Sequence, residues 1–531
     1  MTTYDYIIIG GGSAGCVLAE RLSACGNYQV CLLEAGPKDK HWSIHLPIGV
    51  VELMKSKTLN WQFNSEQENS QNNRSIFNPR GKVLGGSSSI NAMLYVRGQK
   101  EDYDHWAELG NTQWSFDKVL PYFISTEHQE RGENFYHGVD GALNVADSRS
   151  QIPIGNDFIS SAHSAGYPLN DDFNSEQQEG VGYYQLTQKN GQRYSAADAF
   201  LTPNLTRPNL TIITDALVEK IIIEDKKATG VAFKCKGKAK QILANNEILL
   251  SAGAFNSPQL LMLSGIGPKD ELDQHDIDLV HELPGVGQNL QDHVDIMVVN
   301  QTNRTDVVAY RPKASLWFIN QARQYFKNKR GFLTSPVAET GGFIKSAADL
   351  TRPDLQLHFI PAAMDDHGRN NKILLNYGIS LHTCLLRPKS RGSVSLFGNK
   401  PTFHPKIKLN MLSDPDDQKS MVKAVKIARN IFTKSPLSEY VKNEMLPGEH
   451  CQSDEDILAF VKEKANTIYH PVGTCKMGND EMAVVDQTLK VHGIQNLRVI
   501  DASVMPTLIS GNTNAPTIMI AAKIADDILQ K

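Results

Sequence analysis

Residues 4–9 (YDYIII) form a short, β-branched apolar run that stops at glycine, the pattern of a strand buried on both faces. From Ser13 to about Ala24 the apolar positions return at helical spacing, and residues 29–33 (QVCLL) make a second buried run closed by Glu34-Ala35-Gly36. Strand, helix and strand joined this closely predict a right-handed crossover between parallel strands. Further β-rich runs occupy 211–223, 230–234 and 247–251, and a helix is predicted over 115–126 with Ser115 as its cap. The last 35 residues repeat the opening pattern, with a strand at 497–500 (LRVI) and a helix from about Thr513 to Leu529. A chain of 531 residues exceeds the roughly 100–200 typical of one domain. The expected fold class is therefore α/β with an α+β second domain. A Rossmann-type dinucleotide-binding domain (1–150, 203–294 and 466–531) is interleaved with a substrate-binding domain (151–202 and 295–465) built on an antiparallel sheet with helices.

One segment departs from the ordinary core pattern. In 313–330 (KASLWFINQARQYFKNKR), Leu316, Trp317, Ile319, Tyr325 and Phe326 alternate at near-helical spacing with Lys313, Arg323, Lys327, Lys329 and Arg330. Such a helix either lies on an anionic membrane surface or packs its apolar face on the substrate domain; packing is the expectation, because most amphipathic helices do that. No run reaches about 18 apolar residues, so no bilayer span is expected. No basic, then apolar, segment precedes the first strand, so no leader peptide is expected either. The net charge of −4 favours neither nucleic acid nor a global membrane field, and the seven cysteines, without a C-x-x-C pair, fit neither a disulfide framework nor a zinc site. A cytoplasmic location, with peripheral contact on the inner face of the membrane at most, is expected. Oligomeric state is not legible.

Gly10-x-Gly12-x-x-Gly15 follows the first strand and opens the first helix. The first glycine allows the tight turn, the second lets backbone approach a pyrophosphate, and the third lets helix and strand pack closely. The helix N-terminus presents free N–H groups to the phosphates. Glu34, 19 residues past Gly15 at the end of the second strand, is placed to accept hydrogen bonds from ribose hydroxyls. Strand, turn, helix, strand and acid fall in register, which a lone glycine triplet would not. The motif occurs once, so FAD together with a bound nicotinamide is not expected.

Two longer segments, GKVLGGSSSINAMLYVRGQKEDYD at 81–104 and GAFNSPQLLMLSGIG at 253–267, resemble the two signatures of the glucose–methanol–choline (GMC) oxidoreductases. YHPVGTCKMG at 469–478, DASVMP at 501–506 and SGNTNAPTIMIAAKIADDIL at 510–529 extend the resemblance over nearly the whole chain. Within that family it is similar to the FAD-dependent aliphatic alcohol dehydrogenase and choline dehydrogenase branch. The resemblance implies FAD held by Gly10, Gly12, Ser13, Gly15, Glu34, Ala35, Arg80, Val83, Gly86, Ser87, Asn91, Ala92, Met93, Leu94, Val218, Ala252, Asp501, Ala502 and Thr513. For Arg80, reaching phosphate and lying solvated are equally open. Some relatives link the flavin through a histidine where this chain has Ile90, which carries no nucleophile, so non-covalent FAD is expected.

The resemblance also implies a catalytic pair. His470, on a Pro- and Gly-constrained loop, suits proton abstraction from a hydroxyl. Asn512 can donate one hydrogen bond to the developing alkoxide but cannot take a proton. Glu339 is a weaker substrate-side candidate, set against a buried glutamate that orders the Gly341-Gly342 turn. No metal ligand set is expected. The function so implied is oxidation of a primary, aliphatic alcohol to the aldehyde by proton abstraction and hydride transfer to flavin, with electrons leaving to a quinone-like acceptor. Alternatives are a choline dehydrogenase, an oxygen-using alcohol oxidase and, from another class, a non-catalytic flavin-binding protein.

Overall fold

The computed structural model describes residues 2–150 and 152–530. In chain order the elements used below are β1 (Thr2–Ile9), α1 (Ser13–Ala24), β2 (Val30–Leu33), β3 (Gly180–Tyr183), β4 (Leu210–Ile213), β5 (Ala216–Glu224), β6 (Lys227–Cys235), β7 (Lys238–Leu250), α2 (Gly253–Leu263), β8 (Val294–Thr302), α3 (Pro312–Asn328), β9 (Thr340–Ile344), β10 (Leu355–Ile360), β11 (Gly378–Leu385), α4 (Pro415–Phe432), β12 (Val441–Leu446), β13 (Asn466–Thr467), β14 (Leu497–Val499) and α5 (Asn514–Leu529). They build two sheets, and the chain passes between them after β2, β3, β7 and β13.

The first sheet runs β4-β2-β1-β7-β6-β5, with β14 also paired to β7. The β4, β2, β1, β7 and β14 pairings are parallel, and β5–β6–β7 is an antiparallel extension. Ile7, Ile8, Val30, Cys31 and Leu32 are wholly buried, as strands covered on both faces require. α1 and α5 cover one face and pack on each other, so the two ends of the chain meet; Ser13 Oγ donates to Asn514 Oδ1 at 2.7 Å.

The second sheet, β12-β8-β11-β10-β9-β3 with β13 on β8, is antiparallel throughout. α4 packs behind it on β8 and β11 through Met421, Val425 and Ala428. The two hydrophobic cores depart locally from the expected segment boundaries: Ala196–Leu201 belongs with α1, whereas Phe63 and Ile76 join the second core and β13 the second sheet.

The 313–330 segment is a helix that packs on the second core as expected, through Trp317 against Phe332, but only part of its apolar surface is covered. Among its residues only Ala314 and Tyr325 are buried, while Leu316, Phe318, Ile319 and Phe326 are exposed. Among the described residues no helix is long and apolar enough to cross a membrane. All seven cysteines are free thiols.

Candidate active site

A single continuous cavity runs along the seam between the sheets. Its walls come from the β1–α1 turn, the end of β2, the 79–94 segment, the start of α2, β10, the 468–471 loop and the start of α5. Its floor is made of backbone turns packed too closely against neighbouring backbone to admit side chains. Gly10 has φ +103°, and a Cβ there would lie 2.4 Å from the Ser251 carbonyl oxygen. Gly86 has φ +56°, and a Cβ there would lie 2.7 Å from Gly12 Cα. Both positions demand glycine. The Glu34 carboxylate bridges the two ends of this floor, accepting from Gly11 N–H and Gly36 N–H at 2.8 Å each. Burial pushes its carboxyl up to about 7, against the two backbone donors that favour the charge. A glycine cradle, a helix N-terminus and an acid at the strand end suit the diphosphate and ribose of a dinucleotide.

Of the sequence-derived positions, His470, Asn512, Gly10, Gly12, Ser13, Glu34, Ala35, Arg80, Gly86, Ser87, Asn91, Ala92, Met93, Leu94, Val218, Ala252, Asp501, Ala502 and Thr513 all line this cavity. Gly15 and Val83 do not. Gly15 backs onto the Gly10 carbonyl, and Val83 packs with Ile44, Leu53, Leu59 and Ile90. Glu339 is turned away as well: it is 3% exposed, and its carboxylate accepts from the hydroxyls of Ser148, Ser150 and Ser335. Its neighbour Ala338 lines the cavity instead. Arg80, open between phosphate and solvent on sequence grounds, is half-buried and donates to the Tyr469 carbonyl at 2.5 Å. Burial lowers its pKa to about 10, opposed by Asp292. Asp501 accepts from Gly253 N–H and Ser257 Oγ on one oxygen and from Ser503 on the other, which ties the start of α2 to the C-terminal segment.

The geometry around His470 assigns its tautomer. His293 Nε2 faces two carbonyl oxygens, of Leu386 at 3.1 Å and Ile509 at 3.2 Å. Carbonyls only accept, so His293 Nε2 carries the proton. Burial lowers the His293 pKa to about 3, so the ring is neutral and its Nδ1 is a lone pair. That Nδ1 lies 2.9 Å from His470 Nδ1, which must then be the donor. His470 Nε2 is left bare, 3.1 Å from Asn512 Nδ2. Gln356 Nε2 donates to Asn512 Oδ1 at 3.3 Å, turning the Asn512 N–H groups toward His470. A hydroxyl set beside this pair, within reach of both His470 Nε2 and Asn512 Nδ2, meets one proton acceptor and one donor.

The loop is held equally firmly. His470 N–H donates to Asp292 Oδ1 at 2.8 Å, Thr467 Oγ donates to the other Asp292 oxygen, and Tyr469 N–H donates to Thr467 Oγ at 2.7 Å. Tyr469 has φ +72°, a conformation that the surrounding bonds must enforce. Burial, then His293, Arg80 and His358, holds the His470 imidazolium well below the ordinary histidine range, so the resting ring is neutral. Burial raises the Asp292 carboxyl to about 6.

The sequence reading missed Asp292, His293 and Gln356. His358, His367 and His382 also face the cavity, beside Ile360 and Met364. Burial raises the Asp295 carboxyl, but the imidazoles of His382 and His367 prevail and hold it at about 2; both donate to Asp295 Oδ2, at 2.7 and 3.1 Å. Two aromatic walls, Trp61 and Phe255, already have cations beside them: Lys82 lies 4.5 Å from the Trp61 ring centroid and Arg80 lies 5.9 Å from that of Phe255.

Comparison with known proteins agrees with this architecture. The N-terminal and C-terminal family models of GMC oxidoreductase match residues 4–295 and 388–521. An alcohol dehydrogenase [acceptor] of Pseudomonas putida is 49% identical, over 99% of this chain and 96% of its own length. The mitochondrial choline dehydrogenase of Mus musculus is 42% identical, over 99% and 89%. Among solved structures, pyridoxine 4-oxidase from Mesorbium loti superposes with a TM-score of 0.91 at 29% identity, covering 99% of both chains. Formate oxidase superposes with a TM-score of 0.90 at 28% identity, covering 100% and 98%. With the cradle, the seam cavity and the His470–Asn512 pair in place, these matches establish that the chain belongs to the GMC oxidoreductases, as an FAD flavoprotein.

Proposed function

We propose that the chain oxidises an uncharged primary alcohol with an aliphatic tail to the aldehyde, and that its electrons leave to a quinone-like acceptor. The observation that carries the reading is the bare Nε2 of His470 beside the Asn512 N–H, 3.1 Å apart, in the cavity that also holds the dinucleotide cradle. When bound, FAD supplies the hydride acceptor that no side chain offers. His470 Nε2 takes the hydroxyl proton, and Asn512 Nδ2–H binds the oxygen as negative charge grows on it. His293 keeps Nδ1–H occupied, so the proton-accepting nitrogen always faces substrate. An intact base and donor argue against a non-catalytic flavin carrier.

Non-covalent attachment of FAD is part of the proposal, supported by Ile90, which lines the cavity where a linking nucleophile would be needed. The quinone-like acceptor is supported by the single dinucleotide motif. The two interleaved domains and a cytoplasmic location belong to the same reading.

For the substrate, Val50, Met54, Pro336, Val337, Ala338, Ile360 and Met364 give the cavity an aliphatic wall. Choline is the second reading: Trp61 and Tyr469 line the cavity, and choline dehydrogenases are among the relatives. A quaternary ammonium needs open aromatic faces or a free carboxylate. Here Lys82 already lies over Trp61, and Asp295 is engaged by two imidazoles. The test is kcat/KM from ethanol to dodecanol, and for choline, with an artificial acceptor. At about 0.8 kcal/mol per buried CH₂, each added methylene raises kcat/KM about fourfold until the wall is covered. A flat alcohol series with efficient choline turnover overturns the assignment.

A further inference from the structure

α3 carries an outward face that nothing in the fold covers. Its buried side is set by Ala314 and Tyr325, with Trp317 and Phe318 against Phe332 and Gln321 Oε1 accepting from Phe332 N–H. At about 100° per residue, Leu316, Ile319 and Phe326 lie together on the opposite side. They are 68%, 48% and 76% exposed. Lys313, Arg323 and Lys327 fall within and beside the same strip, all exposed. Residues 310–334 contain six Lys or Arg and no Asp or Glu, in a chain whose net charge is −4. Among the described residues, none of Lys313, Arg323, Lys327 and Arg330 forms an ion pair. A water-facing helix would place polar residues where this one places Leu, Ile and Phe. An apolar strip interleaved with cations fits an interface that is hydrocarbon below and anionic at its rim.

We infer that this face docks on a bilayer of anionic phospholipid. The strip inserts below the headgroups, and the cations meet lipid phosphates around it. The patch continues beyond the helix: Tyr310 is 58% exposed, and Leu375, whose carbonyl accepts from Arg311, is 53% exposed. α3 lies between the docked face and the cavity wall: Phe332 packs under its buried side, and Pro336–Ala338, just after Phe332, line the cavity. If the substrate reading above holds, a lipid-dissolved alcohol reaches that wall from the membrane side; the docking itself stands on the α3 face alone.

The test is co-sedimentation of the FAD-loaded full chain with vesicles of equal parts phosphatidylglycerol and phosphatidylcholine, against pure phosphatidylcholine. Binding to the anionic vesicles at low salt, weakened by added salt, is expected. The triple variant Leu316→Ser/Ile319→Ser/Phe326→Ser and the triple variant Lys313→Glu/Arg323→Glu/Lys327→Glu should each lower the bound fraction about tenfold or more. FAD content and turnover of a short alcohol should stay at the parental level, showing that the variants fold. No binding by the parent, or parental binding by both variants, overturns the proposal. So does a dimer in analytical ultracentrifugation that the serine variant dissociates without any vesicle binding by the parent, since the patch would then be a contact between copies. None of these readouts depends on which alcohol is oxidised.

Discussion

Replacing His293 with leucine tests the tautomer argument directly. Leucine keeps the bulk and removes the lone pair that now receives His470 Nδ1–H at 2.9 Å. The donor is then buried without an acceptor, a cost of about 1–3 kcal/mol. His470 can recover that cost by moving its proton to Nε2, toward Asn512, where it can no longer act as base. At 1.36 kcal/mol per factor of ten, kcat/KM should fall roughly 5- to 150-fold. His293→Gln offers a carbonyl oxygen to the same N–H and should restore part of the loss. The pH profile gives an independent reading. In the parent, the acid limb of kcat/KM lies below pH 6.5, because the base works neutral and its pKa is depressed by burial first and His293 second. Removing His293 removes the second cause, so the limb moves up while burial still keeps it on the acid side. The assay is anaerobic flavin reduction by alcohol across pH, with FAD content measured alongside. Parental kcat/KM and an unmoved acid limb in His293→Leu would refute the reasoning.

Three further expectations concern the same cavity. His470→Ala should retain FAD and lose about 10²–10⁴ in alcohol-dependent reduction, whereas Asn512→Ala, missing one donor, should lose about 10²–10³; rapid-mixing absorbance reads both, and a parental rate in His470→Ala removes the base assignment. Acid precipitation should leave the yellow colour in the supernatant, and a coloured pellet would show a covalent flavin that Ile90 gives no means to form. Gly86→Ala should purify with little FAD, since its Cβ would lie 2.7 Å from Gly12 Cα at a φ of +56°; full flavin content would show that the two turns can separate.

Local pattern made the dinucleotide half legible. β1, α1 and β2 were readable to within two residues because burial on both faces leaves uninterrupted apolar runs, and the glycine triplet sits between them for steric reasons that do not depend on the rest of the chain. The His470–Asn512 pair was legible through resemblance alone. His293 was not, because its role comes from a contact across 177 residues and from two carbonyls that only the fold supplies. Glu339 was misdirected by nearness in sequence. It enters β9 next to Ala338, and side chains alternate along extended backbone, so one of the two faces the cavity and the other the serines behind it. The direction of α3 was hidden for a similar reason: periodicity shows that a helix has two faces but not which of them the tertiary structure covers.

The fourfold passage of the chain between its two sheets also bears on motion. Two-body proteins commonly admit ligands by rotating about one or two connecting segments. Here four connections tie the bodies at separated points, and the two ends of the chain are clasped within one layer by α1 and α5. Rotation about any one connection strains the other three. The seam therefore stays closed as a whole, and traffic through it depends on small displacements at its rim, where Val51 is 39% exposed beside the aliphatic wall.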